Sequence, residues 1–282
     1  MASLDLLRQL HSIEFVVAVL LNVLLLVLIC RKMTKTIGRY AYLLICFSVF
    51  NLVYVTVDFL IAPTTMVSGR TFLIVSNAPI FSSKLVNYIL LLVYCGLFCQ
   101  LIVLLMFQFI FRYFAASGLI WVFDLHFYLD NSFIYQEPTF NEMARVFYEK
   151  FQENLSDFSC MGESFEPSLG VSQWKLYLGH LVLMILLFST WTVIIYCGYK
   201  VYKYLSTNEA NSRKTKHLQK ELFKALMIQM FIPLICNYLP LTLINYSAIF
   251  GFSIDLEPMC ALMMIDPILE PLAIIYFIRS YR

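Results

Sequence analysis

The sequence predicts an all-α polytopic transmembrane helix bundle of seven spans, the fourth of them marginal or truncated. Three observations carry that expectation. The chain is 61% hydrophobic and 13% charged, against about 45–50% and about 25% in an ordinary soluble domain, and its mean hydropathy is +0.77. Six apolar stretches reach the roughly seventeen residues needed to cross about 30 Å of hydrocarbon. The basic residues between them fit one side of a membrane only if a further crossing lies in the middle of the chain.

The first span covers 13–30, interrupted by Glu14 and Asn22. Arg31 and Lys32 follow it directly, so it reads as an uncleaved span and not a signal peptide. The second, third, fifth, sixth and seventh spans are expected at 41–62, 85–111, 174–199, 222–252 and 259–278. They are too long and too uniformly apolar for barrel strands. Arg31, Lys32, Lys35 and Arg39 make the first loop cytoplasmic, which puts the N-terminus outside. By the same rule Arg112, the basic loop 200–220 and the C-terminal Arg279 and Arg282 lie inside.

Arg112 inside and Trp174 outside require an odd number of crossings between them. The segment 136–172 carries Glu137, Glu142, Glu149, Glu153, Asp157, Glu163 and Glu166, and is expected as an exposed, acidic extracellular loop. Met143, Phe147 and Phe151 recur there at i, i+4 and i+8, which predicts one amphipathic helix. Asn154-Leu155-Ser156 is a glycosylation sequon on the outer side. The crossing therefore falls to 115–135, although Asp124 and His126 each tax a span by roughly 2.5–3.5 kcal/mol. The alternative is six spans with the second half inverted, which would place the Lys200–Lys220 loop outside.

The eight cysteines have no metal spacing. Seven fall in apolar spans; Cys160 alone lies in a polar loop, and a bridge to Cys95 would need that residue nearer its helix end. No metal or cofactor is expected. Gly-rich phosphate loops, nucleophile elbows and His-Glu-x-x-His patterns are missing, and the four histidines are scattered, so no enzyme class is indicated. A net charge of +2 gives no reason to expect nucleic acid; the surrounding partner is membrane lipid. A transporter or channel is disfavoured by the lack of an internal repeat and by Asp58, Asp266 and Glu270 being few and scattered.

Several stretches resemble nematode seven-transmembrane chemoreceptors of the Str type, the serpentine receptors of class r and their class J relatives. They are Asn22, Gly38-Arg39-Tyr40, Tyr54, Asp58 and Pro63; Phe109-Ile110-Phe111-Arg112-Tyr113-Phe114-Ala115; Gln219 to Leu226 with Gln229, Pro233, Tyr238 and Pro240; and Pro267-Ile268-Leu269-Glu270-Pro271. Glu270 stands where the family usually has Asp. After Arg112-Tyr113 the family's basic inner loop and the first half of its fourth helix have no counterpart, and the chain stops at Tyr281-Arg282, where relatives carry a tail.

The resemblance implies a GPCR-like bundle in the plasma membrane of a sensory neuron, in its cilium. Such a receptor binds an odorant or other small chemical cue and signals to a heterotrimeric G protein. Arg112 resembles the arginine switch of rhodopsin-like receptors, against the plainer reading of a snorkelling anchor, and Tyr113 goes with it. Pro233 and Pro240, and Pro267 and Pro271, should kink the sixth and seventh spans. The freed carbonyls would seek Asn22, Asn51 or Asn237, and Asp266 and Glu270 should face the bundle interior. By position alone, Asp58, Tyr88, Tyr94, Asn245 and Tyr246 are ligand-pocket candidates. Arg213, Lys214, Lys216, Lys220 and Lys224 are G-protein-contact candidates with Arg112. The missing inner loop leaves a second possibility, a truncated or splice-variant product that does not signal.

Overall fold

The computed structural model describes residues 4–31, 38–77, 83–117, 137–166, 173–207, 213–252 and 257–277. Eight α-helices and three strands occur among them in the order α1 (Leu4–Arg31), α2 (Gly38–Ile61), β1 (Pro63–Ser68), β2 (Thr71–Ser76), α3 (Lys84–Ser117), α4 (Glu137–Phe151), β3 (Ser159–Ser164), α5 (Gln173–Thr207), α6 (Arg213–Pro233), α7 (Leu239–Phe250) and α8 (Glu257–Phe277). A π-helical turn, Leu234–Tyr238, joins α6 to α7. The helices close into a ring, α1 against α2, α2 against α3, α3 against α5, α5 against α6, α6 against α8, and α8 back against α1.

Burial in this ring is inverted relative to a soluble bundle. On α1, Leu20 is 65% exposed while Glu14 and Asn22 are buried. A helix with its polar residues inside and its aliphatic residues outside is at home in lipid, where hydrocarbon solvates the outer face. Within the described residues, four helical stretches are long and apolar enough to cross a membrane: Leu4–Arg31, Ala41–Ile61, Lys84–Ile110 and Phe223–Phe250. α5 and α8 run 35 and 21 residues.

Several expected boundaries shift. Residues 115–117 continue α3 and do not open a new span; the rest of the expected fourth span, 118–135, lies outside the described residues, as do Arg279 and Arg282. The basic loop expected over 200–220 is helical through Thr207 and again from Arg213. The sixth span is broken by the π-turn because Pro233 and Pro240 bracket it, each lacking the N–H that an α-helix needs.

The largest departure is at the loops expected on the outer side. The segment expected as an open acidic loop is folded against the bundle. β1, β2 and β3 form an antiparallel sheet in that order, Pro63 opposite Ser76 and Thr71 opposite Ser164. α2 ends because Ala62 turns to φ 42° while its N–H still bonds Asp58 O at 2.7 Å, which sends the chain into β1. A two-residue turn, Gly69-Arg70, links β1 to β2; Gly69 takes φ 54°, the positive first position that suits glycine in such hairpins.

β2 is covered on both faces. Leu73 and Val75 meet Met143 and Phe147 of α4, while Phe72 and Ile74 meet the helix ends at Leu176, Ile244 and Ala248. α4 lays Met143 and Phe147 on the sheet and holds its polar side outward, where Arg145 pairs with Glu149 at 2.9 Å. Arg70 fastens the hairpin tip, donating to Tyr177 Oη (3.0 Å) and Ile249 O (3.1 Å). Sheet and α4 thus form a cap on the end of the bundle that holds Leu4 and Lys84. The 34-residue α3 starts under that cap and runs away from it, so Ser117 and Glu137 sit at opposite ends.

Cys160 faces α4 and is a free thiol, as is Cys95. Strand alternation turns the next residue inward instead, and the Cys95 thiol meets Met161 Sδ at 3.6 Å. The bridge from Cys160 to Cys95 that the sequence left conceivable is therefore not formed.

Candidate functional site

Under the cap lies a cavity of about 170 Å³. Its walls are Leu7, Leu10, His11 and Glu14 of α1, Tyr54 and Asp58 of α2, Tyr94 of α3, and Met263 and Met264 of α8. The roof is the start of β1 with Lys150 and Phe151 of α4. His11 and Glu14 share one face of α1 because they are three residues apart. Asp58 occupies the last turn of α2, where its carboxylate meets His11 Nδ1 at 2.6 Å. Glu14 Oε2 lies 3.8 Å from the same nitrogen and has no hydrogen-bond partner. Across the cavity Tyr54 donates to Tyr94 Oη at 3.3 Å, with the rings stacked at 5.6 Å.

A second polar cluster sits where the cap meets α5 and α7. His180 Nε2 is 3.0 Å from Asn245 Oδ1, while Asn245 Nδ2 donates to Leu241 O at 2.8 Å. The amide oxygen is therefore the acceptor and Nε2 carries a proton. His180 Nδ1 faces two oxygens, Leu176 O at 3.2 Å and Glu163 Oε2 at 3.4 Å. A further proton must sit in that gap, on the imidazole or on the carboxyl. Burial pushes the Glu163 carboxyl up to about 8, in keeping with a carboxyl that holds it.

The third cluster lies deeper. Pro271 has no N–H for Pro267 O, and Asn22 Nδ2 donates to that carbonyl at 3.2 Å. Asn51 Nδ2 donates to Glu270 Oε2 at 2.7 Å, and Asn237 Nδ2 donates to Asp266 Oδ2 at 2.9 Å. Of the three asparagines expected to serve freed carbonyls, Asn22 does so; Asn51 and Asn237 serve carboxylates. Asp266 and Glu270 are both buried, as are Pro233, Pro240, Pro267 and Pro271. The π-turn aims Asn237 at α8.

The remaining expected residues are dispersed. Asp58 and Tyr94 line the cavity; Tyr88, six residues before Tyr94, is partly buried and is not among its walls. Asn245 belongs to the His180 cluster, and Tyr246 is 43% exposed, stacked on Phe250 on the outer surface. Asn245 and Tyr246 thus stand apart from this cavity: α7 packs on the Phe72 face of the sheet, beside α5. Asn154 is exposed beside the cap. Lys224 is exposed on α6. Arg112 and Tyr113 fall in the last turns of α3, and Arg213, Lys214, Lys216 and Lys220 in the first turns of α6; their side chains lie outside the described residues.

His11, Glu14 and Tyr54 carry the cavity and were not grouped by sequence. His11 precedes the apolar run, so it reads as outside the span until α1 is seen to begin at Leu4.

The family profile described as the serpentine type 7TM GPCR chemoreceptor Str matches residues 7–121 and 115–282. The chain belongs to this family. Among curated Str-type relatives in Caenorhabditis elegans, serpentine receptor class r-10 is 28% identical over 93% of this chain and 84% of its own length. G-protein coupled receptor str-33 is 23% identical over 99% and 89% of the two chains. Serpentine receptor class J-38 is 24% identical over 88% and 82%. The Str family is one of multi-pass membrane receptors of GPCR type, not of enzymes, and its architecture implies a chemical ligand and a G-protein partner in general terms. The profile match falls in two parts that meet at 115–121.

Proposed function

We propose that this Str-family chain is a plasma-membrane chemoreceptor of a sensory neuron, with its N-terminus outside and its C-terminus in the cytoplasm, that detects a small environmental molecule. The cavity under the cap supports this most directly. It is lined by four helices at the end of the bundle opposite Thr207 of α5 and Arg213 of α6. Its volume is close to that of the roughly 150 Å³ apolar cavity that accepts benzene, which favours a ligand of odorant size. Tyr54, Tyr94, Met263 and Met264 give apolar and aromatic contact, and the His11–Glu14–Asp58 cluster gives polar selection.

A ligand must prefer one of two bundle arrangements, otherwise it shifts nothing. The π-turn between Pro233 and Pro240, and α8 with Pro267 and Pro271, are the hinges where two arrangements can differ. Opening at the far end would expose Arg112 and Tyr113 of α3, and Arg213, Lys214, Lys216, Lys220 and Lys224 of α6, to a heterotrimeric G protein. The test is calcium imaging of cells that express the receptor with a promiscuous G protein, exposed to a panel of small volatiles. Replacing Tyr94 by Trp should abolish an evoked response while surface staining persists. A response untouched by Tyr94→Trp would remove the ligand from this cavity.

The break in the family match at 115–121 favours a second reading, a truncated product that folds without signalling. It predicts intracellular retention and no response to any cue. Surface staining together with evoked calcium would reject it.

A further inference from the structure

We propose that His11, Glu14 and Asp58 form a binding site for a divalent transition-metal ion of the Zn²⁺ type at the outer cavity. One donor atom from each side chain falls within 4.8 Å of the others. All three residues are at least nine-tenths buried, and Glu14 Oε2 is left without a hydrogen-bond partner while turned toward His11 Nδ1. A buried oxygen in that position is costly unless something occupies the gap.

Charge makes the same point. With both carboxyls ionised, a protonated His11 leaves the cluster with one uncompensated negative charge in a region of low dielectric. A neutral imidazole, two carboxylates and a divalent ion sum to zero. Ligand atoms around a tetrahedral ion with bonds of about 2.1 Å lie about 3.4 Å apart. The Nδ1–Asp58 gap of 2.6 Å must widen by about 0.8 Å and the Nδ1–Glu14 gap of 3.8 Å narrow by about 0.4 Å, which side-chain rotation supplies. As the metal–nitrogen bond forms, the Nδ1 proton leaves to solvent. The fourth position then faces the cavity and takes a water.

The donor set selects the ion. One imidazole nitrogen with two carboxylate oxygens suits zinc and its neighbours. Calcium needs six to eight oxygens, more than this three-residue cluster provides. Lys150 lines the same cavity, and a positive charge there opposes the entry of a cation.

The site is tested on the purified full chain, stripped with chelator and dialysed against Zn²⁺ alone, with Mg²⁺ as control; no G protein or odorant is involved. One zinc per chain is expected to be lost or weakened more than about ten-fold by Glu14→Gln, which keeps the side-chain shape and the His11–Asp58 contact. Lys150→Met should strengthen uptake. Should Glu14→Gln fold poorly, the wild-type protein loaded with Co²⁺ decides: a tetrahedral spectrum without thiolate charge-transfer bands supports the site, and thiolate bands assign the metal to cysteines and overturn it. No uptake by the wild-type chain, or equal affinity in Glu14→Gln, also overturns it.

Discussion

Asn51 illustrates how a single side chain is committed inside this bundle. Its amide holds Glu270 Oε2, while Glu270 Oε1 already lacks a partner. Asn51→Leu should lower stability by about 1–3 kcal/mol, the usual cost of stranding a buried polar group, read as a lower melting midpoint in detergent. The double variant with Glu270→Leu should recover most of that loss, because both orphaned ends are then apolar. Glu163 carries a pH dependence of definite sign. Its carboxyl is raised from 4.5 to about 8 by burial, so between those values the folded protein binds a proton that the unfolded chain has lost. Stability from this group is greatest below pH 4.5, declines as pH rises toward 8, and is level above that. Melting midpoints of Glu163→Gln should show a flatter profile over that window. A wild-type profile that rises with pH there would contradict the assignment.

At the scale of elements, the β3 strand depends on a glycine. A Cβ on Gly162 would stand 2.1 Å from Phe72 O and 2.9 Å from Leu73 Cα, both backbone atoms of β2. Gly162→Ala should open the β2–β3 pairing and make the cap protease-sensitive, whereas Gly96→Ala in α3, where a Cβ meets nothing within 4 Å, should not. The π-turn makes a comparable demand. Cys236, Asn237 and Tyr238 are buried in succession while Ile235 is 51% exposed. Deleting Ile235 would convert the wide turn into ordinary α-helix and remove the bulge that turns Asn237 toward Asp266; surface expression should fall. Ile235→Ala, at the same outward position, should stay within about 0.5 kcal/mol of the parent.

Helix positions were legible because long apolar runs and basic ends are strong signals, and the amphipathic α4 showed in Met143 and Phe147. The sheet was not. β2 is six residues long and covered on both faces, so Phe72 to Val75 reads as a short apolar run without alternation, and such runs do not separate strand from helix. At the site, Asp58 and Tyr94 could be placed from helix ends, but the partnership of Asp58 with His11 spans 47 residues and no local pattern encodes it.

At the scale of the whole molecule, topology is read directly in cells. α3 leaves the cap and α4 rests on it, so Ser117 and Glu137 stand at opposite ends of the bundle. We expect Asn154 to be glycosylated in cells, with a mobility shift reversed by glycosidase, and a tag in the Arg213 region to stain only after permeabilisation. Staining of that tag on intact cells would favour the six-span alternative. The cap also sets an order of assembly. β2 pairs with β1 within one hairpin but completes its ladder only through Ser76 opposite Ser159, after α3 and the returning chain have been made. With the cap facing outward, as proposed, the bare edge of β2 stands until then in the lumen of the secretory pathway as a template for foreign strands. The yield of this receptor should therefore depend on lumenal chaperones that guard strand edges, and variants that delay β3 should accumulate as aggregates before they ever reach a cell surface.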